Sequence, residues 1–171
     1  NMVRLFHITS NENAKAIFKD GFRDNTSYFR SNLVEVQDGF GEYRPDAEYT
    51  GVWVSDEPFE RDALLYGHTL LAIEIPMEDG QVLLPEFQWF EEGELFAKWL
   101  IPAAILNSYG PPTVEDLREW VEDYDEMQAF DKEWRNHNVE AGRPNNGPFS
   151  EVWEPLTPGD WADKSNDWMG K

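Results

Sequence analysis

A chain of 171 residues is one domain of ordinary size, or one domain with an appendage, and it can bury a core without disulfides or a structural metal. It has no cysteine, which excludes disulfides, thiolate zinc sites and cysteine nucleophiles, and His7, His68 and His137 show no metal-ligand spacing. Its formal charge of −20 is spread along the chain, with 8 Lys/Arg against 19 Asp/Glu over residues 1–110 and 6 against 15 over 111–171, and a field of that sign disfavours non-specific nucleic-acid binding.

The first predicted element is a short apolar strand, Val3–His7. Thr9 precedes Glu12 by three residues, a capping-box spacing that predicts a helix through about Asp20. Ala14, Ile17 and Phe18 share one face of that helix, and Gly21 suits its C-terminal stop. Residues 24–50 lack periodicity and read as a long loop with one short strand near Leu33–Val36; loops of this length inside compact domains are often functional.

Gly51–Asp56 reads as a strand ending in a turn, and Pro58 suits the first turn of a short helix over 58–66. Leu70–Ile75 is a strong strand stopped by Pro76. Asp79-Gly80 signals a turn, with a short strand expected at Gln81–Leu84. Lys98–Ile101 is a further strand closed by Pro102, and Ala103–Leu106 begins a short strand or turn. After Pro111-Pro112, Thr113 is expected to cap a long amphipathic helix, because Leu117, Trp120, Val121, Tyr124, Met127, Phe130 and Trp134 recur at spacings of three and four. Such a stripe is ordinary core packing. Past Asn138 the chain is irregular, with Trp153, Trp161 and Trp168 among acidic residues.

The order of the segments carries more information than any one of them. A strand ending His7-Ile8-Thr9 runs into a capped helix ending Gly21-Phe22; Gly51-Val52-Trp53-Val54-Ser55-Asp56 follows, and then Lys98-Trp99-Leu100-Ile101. This order over residues 5–110 resembles the ADP-ribosyltransferase superfamily, in its His–Tyr–Glu-like branch, and is similar to poly-ADP-ribose polymerases and to toxins that modify DNA bases. The resemblance implies an α+β fold with split sheets around an NAD cleft over residues 1–110. Residues 111–171 would add a long C-terminal helix and an irregular aromatic tail packed on the same domain.

The resemblance also implies roles. His7 would bond a ribose hydroxyl of NAD, the backbone at Ile8 would grip the nicotinamide carboxamide, and Thr9 would support them. Glycine often follows the family's histidine, and Ile8 departs from that. Trp53 or Tyr66 would stack on the nicotinamide, and Ser55 would lie beneath the cofactor. The family places a glutamate at the start of its last aromatic strand, where a carboxylate stabilises an oxocarbenium-like ribose cation. Here that position holds Lys98, whose ammonium would repel the cation. Either the domain is a degenerate binder, or Glu94, Glu92 or Glu91 takes the role through a shift of register.

Three functions follow as expectations. One is an NAD-dependent transferase of the glycosyltransferase class, moving ADP-ribose to an unknown acceptor. Another is a non-catalytic module that binds NAD, ADP-ribose or a protein. The third is an acidic inhibitor that mimics nucleic acid. No apolar run approaches the roughly 18–20 residues of a membrane-spanning helix, and no apolar signal region follows the N-terminus, so a cytoplasmic protein with no membrane partner is expected.

Overall fold

Apolar runs buried on both faces make the two strands at the centre of this α+β fold. In the computed structural model, residues 1–58 and 68–116 are described, with 119, 120, 126, 129, 132, 133, 136, 137 and 140–142. Strand β1 (Met2–Ser10) pairs antiparallel along its whole length with β4 (His68–Pro76), with Leu5 opposite Ile73 and His7 opposite Leu71. Strand β3 (Ala47–Ser55) meets β1 at one registered pair, Phe6 with Ser55. Its other neighbours are β2 (Asn25–Phe29), opposite residues 47–51, and β5 (Lys98–Ile101), opposite 52–55. The path β2-β3-β1-β4 ends at the two-residue β6 (Thr113–Val114).

Register decides the faces, because side chains alternate along a strand while directly opposed residues share a side. Leu5, Leu71, Ile73, Ile75, Val52, Val54, Trp99 and Ile101 fall on one face and form one buried cluster. Among the described residues three helices cover this face. Ala14, Ile17 and Phe18 come from α1 (Asn11–Asp20), Leu84 and Phe87 from α2 (Met77–Phe87), and Ala103 and Leu106 from α3 (Ala103–Asn107). Each large side chain fully buried there contributes roughly 1.5–3 kcal/mol. The reverse face holds Phe6, Ala72, Trp53, Ser55 and Lys98. There Phe6 is packed edge-on by Trp120, with ring centroids 4.9 Å apart.

Several expectations change. The cap of α1 is Ser10, whose Oγ accepts from Asn13 N at 3.1 Å, while Thr9 is still in β1 and buried. The 24–50 region holds strand at both ends, Asn25–Phe29 and the start of β3 at Ala47 rather than Gly51, and none at Leu33–Val36; Gln37 makes isolated bridges with Tyr43 and Phe90 instead. Gln81–Leu84 is no strand but the middle of α2 (Met77–Phe87). Gly80, whose absent side chain lets the helix lie against Val3, is compatible with a helix when packing demands it. Ala103–Leu106 is helical, with Pro102 as the N-cap.

Thr113 caps nothing: it pairs with Ala72 in β6. The next residue after β6, Glu115, continues this contact through its N–H to Leu70 O at 2.9 Å, and its buried carboxylate pairs with Arg4. The helix expected over 113–137 is represented by residues 126, 129, 132, 133, 136, 137 and 140, all helical and all exposed. The apolar stripe expected on it, Leu117, Val121, Tyr124, Met127, Phe130 and Trp134, lies outside the described residues, apart from Trp120. The predicted helix over 58–66, with Tyr66, lies outside the described residues, apart from Pro58, and so does the tail beyond residue 142.

Candidate functional site: a cleft at the split between two strands

Past the single pair Phe6–Ser55, β1 and β3 diverge. A cleft of about 440 Å³ opens where they part, walled by His7 and Thr9 of β1, Gly51, Val52 and Trp53 of β3, residues of α1, and the segment Gly21–Asn25. That volume lies within the roughly 300–1,000 Å³ of small-molecule sites.

His7 spans the split. Its Nδ1 lies 2.7 Å from Trp53 O, and a carbonyl oxygen only accepts, so Nδ1 carries the proton. Burial pushes the imidazole pKa below its ordinary value, opposed in part by that same bond. The ring is therefore neutral near pH 7, and Nε2 keeps a lone pair. Phe22 packs edge-on against the ring at 5.6 Å between centroids. The arrangement presents a fixed acceptor in the cleft wall, suited to a hydroxyl donor on a ligand.

The segment Gly21–Asn25 is held from behind by α3. Asn107 Oδ1 accepts from Phe22 N at 2.8 Å, and its Nδ2 donates to Phe22 O at 3.0 Å, so one amide satisfies both backbone groups as a neighbouring strand would. Asp24 Oδ1 accepts from Ala103 N at 2.8 Å. Gly21 turns the chain out of α1 at φ +88°, with a Cβ position only 3.0 Å from the Asn107 amide. Arg23 and Asp24 are the cleft's charged lining residues, beside the neutral His7. In a chain of net charge −20 this wall is close to neutral, and an anionic ligand meets far less repulsion there than elsewhere.

The residues expected at the site divide into two groups. His7, Thr9 and Trp53 come together at the cleft. Ile8, half-buried, is not among its lining residues. Lys98 and the Trp53 ring stand on the reverse face of the sheet from His7. There the Lys98 ammonium lies 3.2 Å from Glu91 Oε2 and 3.0 Å from Glu94 Oε1, and 5.7 Å from the centroid of the Trp53 ring. Glu92 is exposed. Ser55 is buried, and its hydroxyl donates to Glu57 O at 2.5 Å. Asp56 accepts from Ala97 N at 2.9 Å and returns its own N–H to Ala97 O. The Ser-Asp pair closing the Gly51–Asp56 segment thus ties the end of β3 to the start of β5.

Sequence reasoning missed Asn107 and Asp24. A strand–proline–helix run ending in Asn is visible at 98–107, but nothing in it says which distant backbone the amide meets. It also missed the aromatic floor on the reverse face. Trp89 stands 4.9 Å from Tyr49, 5.2 Å from Phe29 and 5.4 Å from Trp53, each edge-on, and Arg44 lies 5.2 Å above it. Arg44 Nη2 donates to the carbonyls of Glu86 and Gln88, both at 2.8 Å, which fixes the 85–97 loop over that face.

Comparison of the chain with protein-family models, with curated proteins and with solved structures finds no match. The chain's own residues therefore carry the functional reading. Among the described residues no helix is long and apolar enough to cross a membrane, and no group of three or more His, Asp or Glu could hold a metal ion.

Proposed function

We propose that the cleft binds NAD or an ADP-ribose-like ligand, as a member of the ADP-ribosyltransferase type whose transfer step is weak or lost. The supporting observation is His7: a neutral imidazole, oriented by Trp53 O, offers Nε2 to a ribose hydroxyl where β1 and β3 part. The near-neutral wall and the exposed Arg23 guanidinium at its rim suit a ligand carrying a diphosphate. Transfer would need a carboxylate facing the developing ribose cation. Lys98 holds the position expected for it, on the other face from His7, and its charge is already matched by Glu91 and Glu94.

A second reading has one observation in its favour. Lys98 gathers Glu91 and Glu94 beside Trp53 on the reverse face, so this reading requires the nicotinamide ribose to reach the Trp53 side of the split, where a carboxylate, rather than the ammonium, would meet it. That reading makes the chain a transferase, with the acceptor met by the loops at 24–50 and 85–97. Among the described residues no side-chain arrangement favours the acidic nucleic-acid mimic.

Calorimetry with NAD tests the main reading. Saturable binding is expected in the wild type, weakened about fivefold to a hundredfold in His7→Ala, since the ligand's hydroxyl is left without its acceptor, about 1–3 kcal/mol. Binding that ignores His7→Ala would remove the proposal's basis. Release of nicotinamide from labelled NAD separates the readings. The binding module releases none in the wild type, whereas the transferase releases nicotinamide and loses that activity in Glu94→Gln.

A further inference from the structure

Strand β2 is the outermost strand of the sheet: it pairs with β3 on one side, and among the described residues no strand pairs with its other side. An open edge of this kind is a template for another strand, and proteins usually guard it with a lysine, a proline or an inward charge. Residues Asn25-Thr26-Ser27-Tyr28-Phe29 carry none of these, and the first four are exposed. The charges stand just outside, in opposite sign: Asp24 before the strand and Arg30 after it, both exposed.

We infer that β2 pairs antiparallel with β2 of a second copy of this chain, about a two-fold axis at Ser27. In that register Ser27 faces Ser27, Thr26 faces Tyr28, and Asn25 faces Phe29. Asp24 of each copy then faces Arg30 of the other. The self-complementarity is a property of the order Asp24…Ser27…Arg30, three residues to either side of the centre. A shift of register by two residues loses both ion pairs. An isologous contact of this type closes as a dimer and extends the sheet across both copies.

The pairing has a consequence for the cleft. Asp24 and Asn25 line it, and directly opposed residues project on the same side of a sheet. The second copy's Arg30 is therefore delivered to the cleft rim, beside Arg23. This adds a cation that the single chain holds elsewhere, over the ring of Tyr28 at 5.7 Å. The dimer does not depend on the NAD reading, and its test involves no nucleotide. Two chains of −20 repel at low salt, so the measurement belongs at physiological ionic strength, where such fields are screened beyond roughly 8 Å.

The chain's lack of cysteine supplies a clean probe. Ser27→Cys places two thiols opposite one another across the axis, and mild oxidation is expected to trap a covalent dimer rapidly. Asn25→Cys, which faces Phe29, is expected to cross-link far more slowly, at the rate of collisions. Sedimentation velocity on the untagged chain should show a concentration-dependent dimer. Arg30→Glu should raise its dissociation constant about tenfold or more, and an equal mixture of Arg30→Glu with Asp24→Lys should recover association, because each unlike pair again matches. If Asp24→Lys fails to fold through loss of its bond to Ala103 N, the comparison of Ser27→Cys with Asn25→Cys still decides. Equal cross-linking at 25 and 27, or a chain that stays monomeric at its highest soluble concentration, overturns the proposal.

Discussion

His7 joins three levels of description in one side chain. It closes the gap between two strands through Trp53 O, it is uncharged because it is buried, and it lines the cleft. The depressed pKa has a stability consequence. An unfolded chain takes up a proton at His7 near its ordinary pKa of 6.5, while the folded chain resists it until lower pH. The unfolded state then binds more protons, so stability is complete above about pH 6.5 and declines as pH falls below it. Melting temperatures measured between pH 7.5 and pH 5 are expected to show this decline, reduced in His7→Gln; an identical slope in the two proteins would contradict it. Lys98 works in the opposite way. Half of its meaning lies in the two glutamates it holds, and Lys98→Met would leave Glu91 and Glu94 to repel each other. These groups are partly exposed, so a destabilisation of about 1 kcal/mol or less is expected in urea titration.

Among the elements, two tertiary supports hold irregular segments in place, and only the first stands behind the cleft. The short α3 acts through Asn107, which completes the backbone bonding of Phe22. Asn107→Ala removes an acceptor and a donor from partly buried partners at once, and a loss of about 1–3 kcal/mol follows. Asn107→Asp keeps the acceptor for Phe22 N but sets a carboxylate against Phe22 O, and should recover less than half of that stability. Denaturant midpoints would check both. The 38–42 turn is the second support. Gly39 donates to Pro85 O at 2.7 Å, and a Cβ there would stand 2.4 Å from Pro85 Cα, closer than any side chain tolerates. The 31–45 and 85–97 loops are thereby locked together at backbone level. Low periodicity in 24–50 was legible as an irregular segment, but its order comes from partners some fifty residues away, which local pattern does not contain.

For the whole molecule, charge and topology act on different properties. The −20 charge is distributed over both halves of the chain and opposes compaction by self-repulsion. Raising ionic strength from very low values to about 0.15 M should increase the melting temperature as that repulsion is screened; a fall would show that local ion pairs such as Arg4–Glu115 outweigh it. Topology, in contrast, places the site. Because β1 and β3 share only one registered pair, the sheet opens next to His7.

The sequence alone was sufficient for the core strands and the first helix. The apolar run Leu70–Ile75, the spacing of Ala14, Ile17 and Phe18, and the apolar run at 99–101 each produced the element expected of it. Local periodicity is a strong signal where one face is buried. It was not sufficient at 81–84 or at 113, where neighbours in space turned one apolar segment into a helix and pulled another into the edge of the sheet. Only the tertiary structure decided that His7 and Lys98 stand on opposite faces. Facing is a matter of register between strands, and a shift of one residue reverses it. The same packing showed Lys98 already neutralised by two glutamates, whose side chains reach it by the path of a loop and not by any spacing in the sequence.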